Sequence, residues 1–186
     1  KIYQEIKASK KALDLTLNLS YVYEANRDIE LAFNILTEAL SAHPQDIEYG
    51  CILNNRIGGL LKSSGEGEKA IYYYTKSEEN YEQIDNPDIS FTLMQLSNDK
   101  NRGVVYRNQE SYDTAMFYFN RSLAGSIQLN DTSWMARNYN SIGILHFQLK
   151  EYERALAAFD KSLTMKRYLN YVDGSVNTLT NMANIY

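Results

Sequence analysis

One recurrence constrains this chain more than any other feature of it. Four times a small residue is followed twelve positions later by alanine: Ser20 and Ala32, Gly58 and Ala70, Gly103 and Ala115, Gly143 and Ala155. A bulky residue comes four positions after each alanine, at Leu36, Tyr74, Phe119 and Phe159. Three copies carry Tyr23, Leu61 or Tyr106 three residues after the small one, and the fourth has His146. The aligned stretches are 19–36, 57–74, 102–119 and 142–159, and a fifth begins the same way at 182–186. Two helices joined by a tight turn come close only where their facing side chains are small. Gly or Ser on the first helix and Ala on the second supply that contact, and the larger residues fill the groove beside it. Asp28 and Ser111 fall where a second helix begins, each placed to accept from a free N–H of its first turn. A single hairpin cannot bury its apolar face alone, so the copies must stack.

The pattern resembles the tetratricopeptide repeat, whose signature places a small residue at its eighth position and alanine at its twentieth. The resemblance runs over essentially the whole chain. The small markers lie at 20, 58, 103, 143 and 183, spaced 38, 45, 40 and 40 apart, against the commonest period of about 34 for that family. The longer period predicts one or two extra turns, most simply on the second helix. Apolar Ile6, Leu129 and Leu169 end helices, with polar turns at Lys7–Lys10, Asn130–Asp131 and Asn170–Asp173. In the 45-residue interval Ile84 precedes Asp85-Asn86-Pro87-Asp88, which predicts a longer first helix or loop between the second and third copies. The implied fold is all-α: a right-handed α-solenoid of antiparallel helix hairpins, with about four full repeats and partial flanking helices. Repeats are expected near 13–46, 51–85, 88–129 and 132–170, with 1–6 ending a preceding helix and 175–186 opening a further repeat. On that reading the chain is a fragment of a longer protein.

Composition narrows the function classes. With 44% hydrophobic and 23% charged residues the chain is of globular type. No stretch approaches the ~18 apolar residues of a membrane span, so no membrane insertion is expected. The net charge of −4 lacks the basic excess of a phosphate-backbone binder, so direct nucleic-acid binding is not expected. The one cysteine, Cys51, allows no internal disulfide and leans towards a reducing, cytoplasmic compartment. The first residue is Lys1, and removal of a signal sequence would instead make the protein extracytoplasmic.

Nothing in the chain assembles into a catalytic set. His43 precedes Pro44 in a loop, and His146 sits on a helix with no His/Cys cluster to form a metal site. Cys51 has no histidine spaced to activate it. Gly58–Gly59 lies within a helix and Gly65–Gly67 in a turn, without the lysine and hydroxyl of a phosphate loop. The sequons at Asn18, Asn120 and Asn130 are read as accidental. No isolated carboxylate pair suits general acid–base work. No catalytic residue, cofactor or metal ligand is expected, and the chain is read as a binding protein, not an enzyme.

In stacked hairpins of this kind the first helices line a concave surface. Residues two and three before each marker point into it, and they include an asparagine every time: Asn18, Asn55, Asn101, Asn140 and Asn181. An amide donates and accepts, which suits the backbone of an extended peptide. Arg56, Lys62, Lys100, Arg107 and Arg137 share that face and favour an acidic segment or a terminal carboxylate. Lys100 is followed by Val104 where the chaperone-binding members of the family need asparagine, which disfavours that role. On the convex side Tyr72 and Phe117 occupy equivalent outward positions and mark an alternative surface for a partner or a homodimer. Trp134 opens a first helix. The resemblance to arrays in bacterial regulatory proteins implies a sensory or partner-binding module for a protein or peptide; the alternative is a structural scaffold that assembles through its convex face and ends.

Overall fold

The computed structural model describes the backbone of residues 2–185 and the side chains of 10–172 and 174–185. Among these residues every regular element is an α-helix, as the repeat spacing predicts. The chain divides into two compact units, residues 1–94 and 95–186. The first holds α1 (Ile2–Ala25), α2 (Ile29–Ala42), α3 (Ile47–Ser63), α4 (Gly67–Tyr81) and the start of α5 (Ile89–Asn108). The second holds the rest of α5, α6 (Tyr112–Gln128), α7 (Thr132–Gln148), α8 (Tyr152–Tyr168) and α9 (Val172–Ala183).

Each turn from a first to a second helix is closed by a left-handed residue seven positions after the marker. Arg27, Gly65, Glu110 and Lys150 take φ of 67°, 88°, 60° and 60°. The next N–H then reaches back to the carbonyl of Tyr23, Leu61, Tyr106 or His146 at 2.8–2.9 Å, satisfying an orphan acceptor of the helix end. The longer-range turns use Asn86, Asn130 and Asn170, which tolerate positive φ. Asp46 and Asp131 cap α3 and α7 by accepting from Tyr49 N at 3.0 Å and Trp134 N at 2.9 Å. Asp28 and Ser111 stand at the starts of α2 and α6 but make no side-chain cap bond, contrary to expectation. Their ψ angles of 62° and 67° stop short of the extended conformation that aims a cap side chain at the first turn.

The glycine markers lie closest to aromatic rings. A Cβ built on Gly58, Gly103 or Gly143 would lie 2.7, 2.5 or 2.6 Å from the ring of Tyr74, Phe119 or Phe159, sixteen residues on. The alanines at position twelve are buried beside them. Where the marker is Ser20, the sixteenth residue is the buried Leu36. A second link repeats at fixed spacing: Ser77, Ser122 and Ser162 donate to the carbonyls of Cys51, Leu96 and Ala136 at 2.8–2.9 Å. In the second unit Phe119, Ala115 and Ala158 join Ile142 and Leu145 in one core cluster, so consecutive copies share their apolar faces.

Two boundary expectations change. α1 runs unbroken through Lys7–Lys10, so the described part of 1–6, from Ile2 on, does not end a separate helix, and Lys1 lies outside the described residues. Lys, Ala and Ser interrupt no helix by propensity, and polarity alone is a poor turn signal. The extra length near residue 85 is both a longer helix and a longer connection. α5 has 20 residues against 17 in α3 and α7, and residues 82–88 replace a three-residue turn such as 129–131.

Candidate partner-binding site

In the first unit the predicted residues separate by environment. Asn18 is exposed on α1, and Asn55 is half-buried on α3 with a buried Nδ2 that meets no acceptor among the described residues. Arg56 departs from the expected groove cation. It is 7% exposed, its Nε donates to Ser20 Oγ at 2.8 Å, and its Nη1 pairs with Glu24 at 2.7 Å. The guanidinium also lies 3.8 Å from the centre of the Tyr21 ring. The hydroxyl of Ser20, in place of a marker glycine, gives this arginine a buried partner on α1. Lys62 is half-buried, and withdrawal from water pushes its ammonium pKa down against the pull of Glu24.

In the second unit Lys100 and Asn101 are half-buried on α5, and Asn101 Nδ2 donates to Ser97 Oγ at 3.4 Å. Arg107 is half-buried with its pKa lowered by desolvation, and it donates to Asn108 Oδ1 at 3.1 Å. Arg137 is exposed on α7, its guanidinium 5.4 Å from the Trp134 ring centre. Asn140 and Asn181 meet through Oδ1 and Nδ2 at 3.4 Å. Asn140 also accepts from the buried Thr178 hydroxyl at 3.1 Å, so this asparagine holds α9 to α7 besides facing solvent.

Sequence reasoning missed the residue that organises this corner. Lys166 of α8 is 5% exposed and donates to Gly174 O at 3.0 Å and Thr178 Oγ1 at 2.6 Å. Its pKa is lowered first by burial and then by the charge of Arg137. The result is a locally cationic corner around Arg137, Asn140 and Asn181. A lysine late in a second helix reads as a solvated end charge, and its burial here goes with its bonds to the Gly174 carbonyl and the Thr178 hydroxyl. The serines at 77, 122 and 162 were legible, since each lies nineteen after its marker. Asn98 and Asn138, both buried five before their markers, were equally legible.

Tyr72 on α4 and Phe117 on α6 are both exposed, as expected. Each meets the next ring edge-on at 5.2 Å, Tyr72 with Tyr73 and Phe117 with Tyr118. Arg121, between Phe117 and Tyr118, is held by a paired contact to Asp99. Among the described residues no three His, Cys, Asp or Glu side chains converge as a metal site. His146 Nδ1 lies 2.6 Å from Glu151 across a hairpin turn, which holds the carboxyl of Glu151 below its usual pKa. His43 packs on Tyr49 with ring centres 4.6 Å apart. Cys51 is buried against Ser77, and burial pushes its thiol up to about 11, so it stays a protonated core group. No helix among the described residues is long and apolar enough to cross a membrane.

Helical hairpins closed by left-handed turns and seated small-residue-on-ring define an all-α repeat protein. Residues 93–167 match the tetratricopeptide repeat family, and several solved structures are similar in fold over 94% or more of the chain. BtubC (BKLC) from P. vanneervenii is 14% identical with a TM-score of 0.77, over 100% of this chain and 83% of that one. The apo form of RapI is 14% identical with a TM-score of 0.78, over 98% of this chain and 52% of that one. A putative kinesin light chain from P. anserina, with nearly identical TPR-like repeats, is 9% identical with a TM-score of 0.73, over 94% and 85%. No curated protein sequence matches the chain closely. At these identities the structural likeness shows the fold alone.

Proposed function

We propose that the first-helix faces bind an extended peptide or partner segment, and that the chain serves as the sensory or partner-binding module of a bacterial regulatory protein. The observation that carries the reading is the placing of amides and cations together on the first helices. The exposed Arg137 stands beside Asn140 and Asn181, while Lys62 and Arg107 are partly stripped of water on their own helices. A desolvated cation gains from an incoming carboxylate, and the amides bond a peptide backbone without reading its sequence. An acidic segment or a terminal carboxylate is therefore the ligand class.

The second reading is assembly through Tyr72 and Phe117, which the exposed aromatic pairs support. The test compares capture of partners from native lysate by the wild type, by Asn101→Ala/Arg137→Ala and by Tyr72→Ala/Phe117→Ala. Loss of a captured partner with the first variant, and retention with the second, supports the first-helix site. The reverse pattern moves function to the aromatic face. Asn140 is left intact because its bond to Thr178 would confound binding with stability.

A further inference from the structure

The α2–α3 connection borders, with α3 and α4, a cavity of about 440 Å³ that lies wholly within the first unit. His43, Asp46, Gly50, Asn54, Asn80 and Gln83 stand in its wall. α2 and α4 end at this cavity and α3 begins there, so two negative helix ends meet one positive end. Asp46 caps the positive end, its Oδ1 accepting from Tyr49 N at 3.0 Å. Gly50 admits the Asn80 amide, because an added Cβ would meet its Nδ2. The positions eight before the next two markers hold the larger Gln95 and Met135.

The wall is rich in acceptors and poor in cations. Asn54 is 6% exposed, and its Nδ2 donates to the Gly50 carbonyl at 2.7 Å, which leaves its Oδ1 to accept. Among the described residues the Asn80 amide and the His43 ring nitrogens form no hydrogen bond. No Lys or Arg occurs between Arg27 and Arg56, or between Lys76 and Lys100. Lys76 itself is tied to Glu79 at 2.6 Å. Glu48 and Glu82 adjoin residues of the wall in sequence. Such a wall repels an anion and suits a cation rich in donors. A guanidinium fits better than an ammonium, because its planar fork of N–H donors reaches several acceptors at once, it is weakly hydrated, and it stacks on a ring such as that of His43. We propose that this cavity binds a small organic cation bearing a guanidinium group, with Asp46 as its counter-charge and Asn54 and Asn80 as acceptors. The volume falls within the range of small-molecule pockets. The ligand is opposite in charge to the one proposed for the first-helix faces, and the two sites stand independently.

The probe is agmatine, which carries a guanidinium and no carboxylate, titrated by calorimetry into the 186-residue chain at low salt. Saturable binding at one site is expected. Asp46→Asn should weaken it about tenfold or more, and this change keeps an oxygen for Tyr49 N and hence the cap. Asp131→Asn removes the same charge from the equivalent cap of α7 and should leave binding unchanged. Asn80→Ala, which touches no cap, should weaken binding severalfold. Unfolding midpoints close to that of the wild type are expected for all three variants. No saturable binding, equal weakening by Asp46→Asn and Asp131→Asn, or putrescine binding as tightly as agmatine overturns the proposal. A capped Gly-Arg-Gly tripeptide that binds more tightly than agmatine overturns it as well, and makes the arginine of a partner the occupant.

Discussion

The hairpins α1–α2 and α7–α8 share one spacing and solve their closest approach in different ways. In α7–α8 the marker is Gly143, the ring of Phe159 lies on it, and Ser162 bonds the Ala136 carbonyl. In α1–α2 the marker is Ser20, the sixteenth residue after it is the buried Leu36, and alanine replaces the serine at position 39. The Ser20 hydroxyl donates to the Leu17 carbonyl and accepts from the Nε of Arg56 on α3. The comparison teaches that the repeat conserves backbone register, while side-chain volume is settled pairwise between the marker and the sixteenth residue. A larger marker goes with a smaller partner, and any polar atom on the marker recruits a partner of its own.

The largest expected effect follows from that pairwise rule. Gly143→Leu should destabilise by at least ~1–3 kcal/mol, since even its Cβ would meet Phe159 at 2.6 Å. Gly143→Ala is the sharper probe. Alanine exceeds glycine by up to about 1 kcal/mol in a helix interior, so a net loss in urea unfolding isolates the ring clash. Adding Phe159→Leu, which reproduces the α1–α2 pairing, should recover part of it in a double-mutant cycle. Independent, additive effects would break the comparison.

The next contrast separates two arginines that sequence placed on one face. Arg56→Ala removes a buried ion pair with Glu24 and the bond that Ser20 Oγ accepts, and should cost about 1–3 kcal/mol. Arg137→Ala removes an exposed side chain and should stay within about 0.5 kcal/mol. Similar midpoints for the two variants would show that burial does not distinguish them.

What was legible in the sequence was whatever depends on spacing. The helical hairpins, the extra length near residue 85 and the outward Tyr72 and Phe117 all follow from position relative to the marker. What was not legible depends on which neighbour a long side chain finds. Arg56 and Arg137 differ in fate because one meets a hydroxyl and a carboxylate on α1 and the other meets only the face of Trp134. Lys166 was invisible for the same reason: its burial needs Gly174 and Thr178, eight and twelve residues away on another helix. The Asp28 and Ser111 caps failed on backbone geometry, because the left-handed residue before each already sets the chain direction.

A smaller effect tests the serine link. Ser162→Ala should cost about 0.5–1.5 kcal/mol by removing one buried bond to the Ala136 carbonyl. Ala39→Ser in the first hairpin should not return a matching gain if that hairpin is truly packed on a different plan. A gain of equal size, read as a shift in the urea midpoint at constant slope, would mean that the two hairpins differ only by one missing hydroxyl.

The smallest effect concerns the turns. Lys150 and Gly65 occupy the same left-handed position, at φ 60° and 88°, in hairpins of the same spacing. A non-glycine residue there pays roughly 1–2 kcal/mol in Cβ crowding, and glycine gives back about 0.4–1 kcal/mol through the freer unfolded chain. Lys150→Gly should therefore stabilise the α7–α8 hairpin by about 1 kcal/mol or less, read as a rise in thermal midpoint. Gly65→Lys should lower stability by a comparable amount, because no atom beyond its chain neighbours lies within 4 Å of an added Cβ and only the dihedral penalty acts. Opposite signs of similar size would assign the turn energy to backbone conformation alone. A Gly65→Lys loss much larger than the Lys150→Gly gain would show that the α3–α4 turn depends on glycine in a way the α7–α8 turn does not.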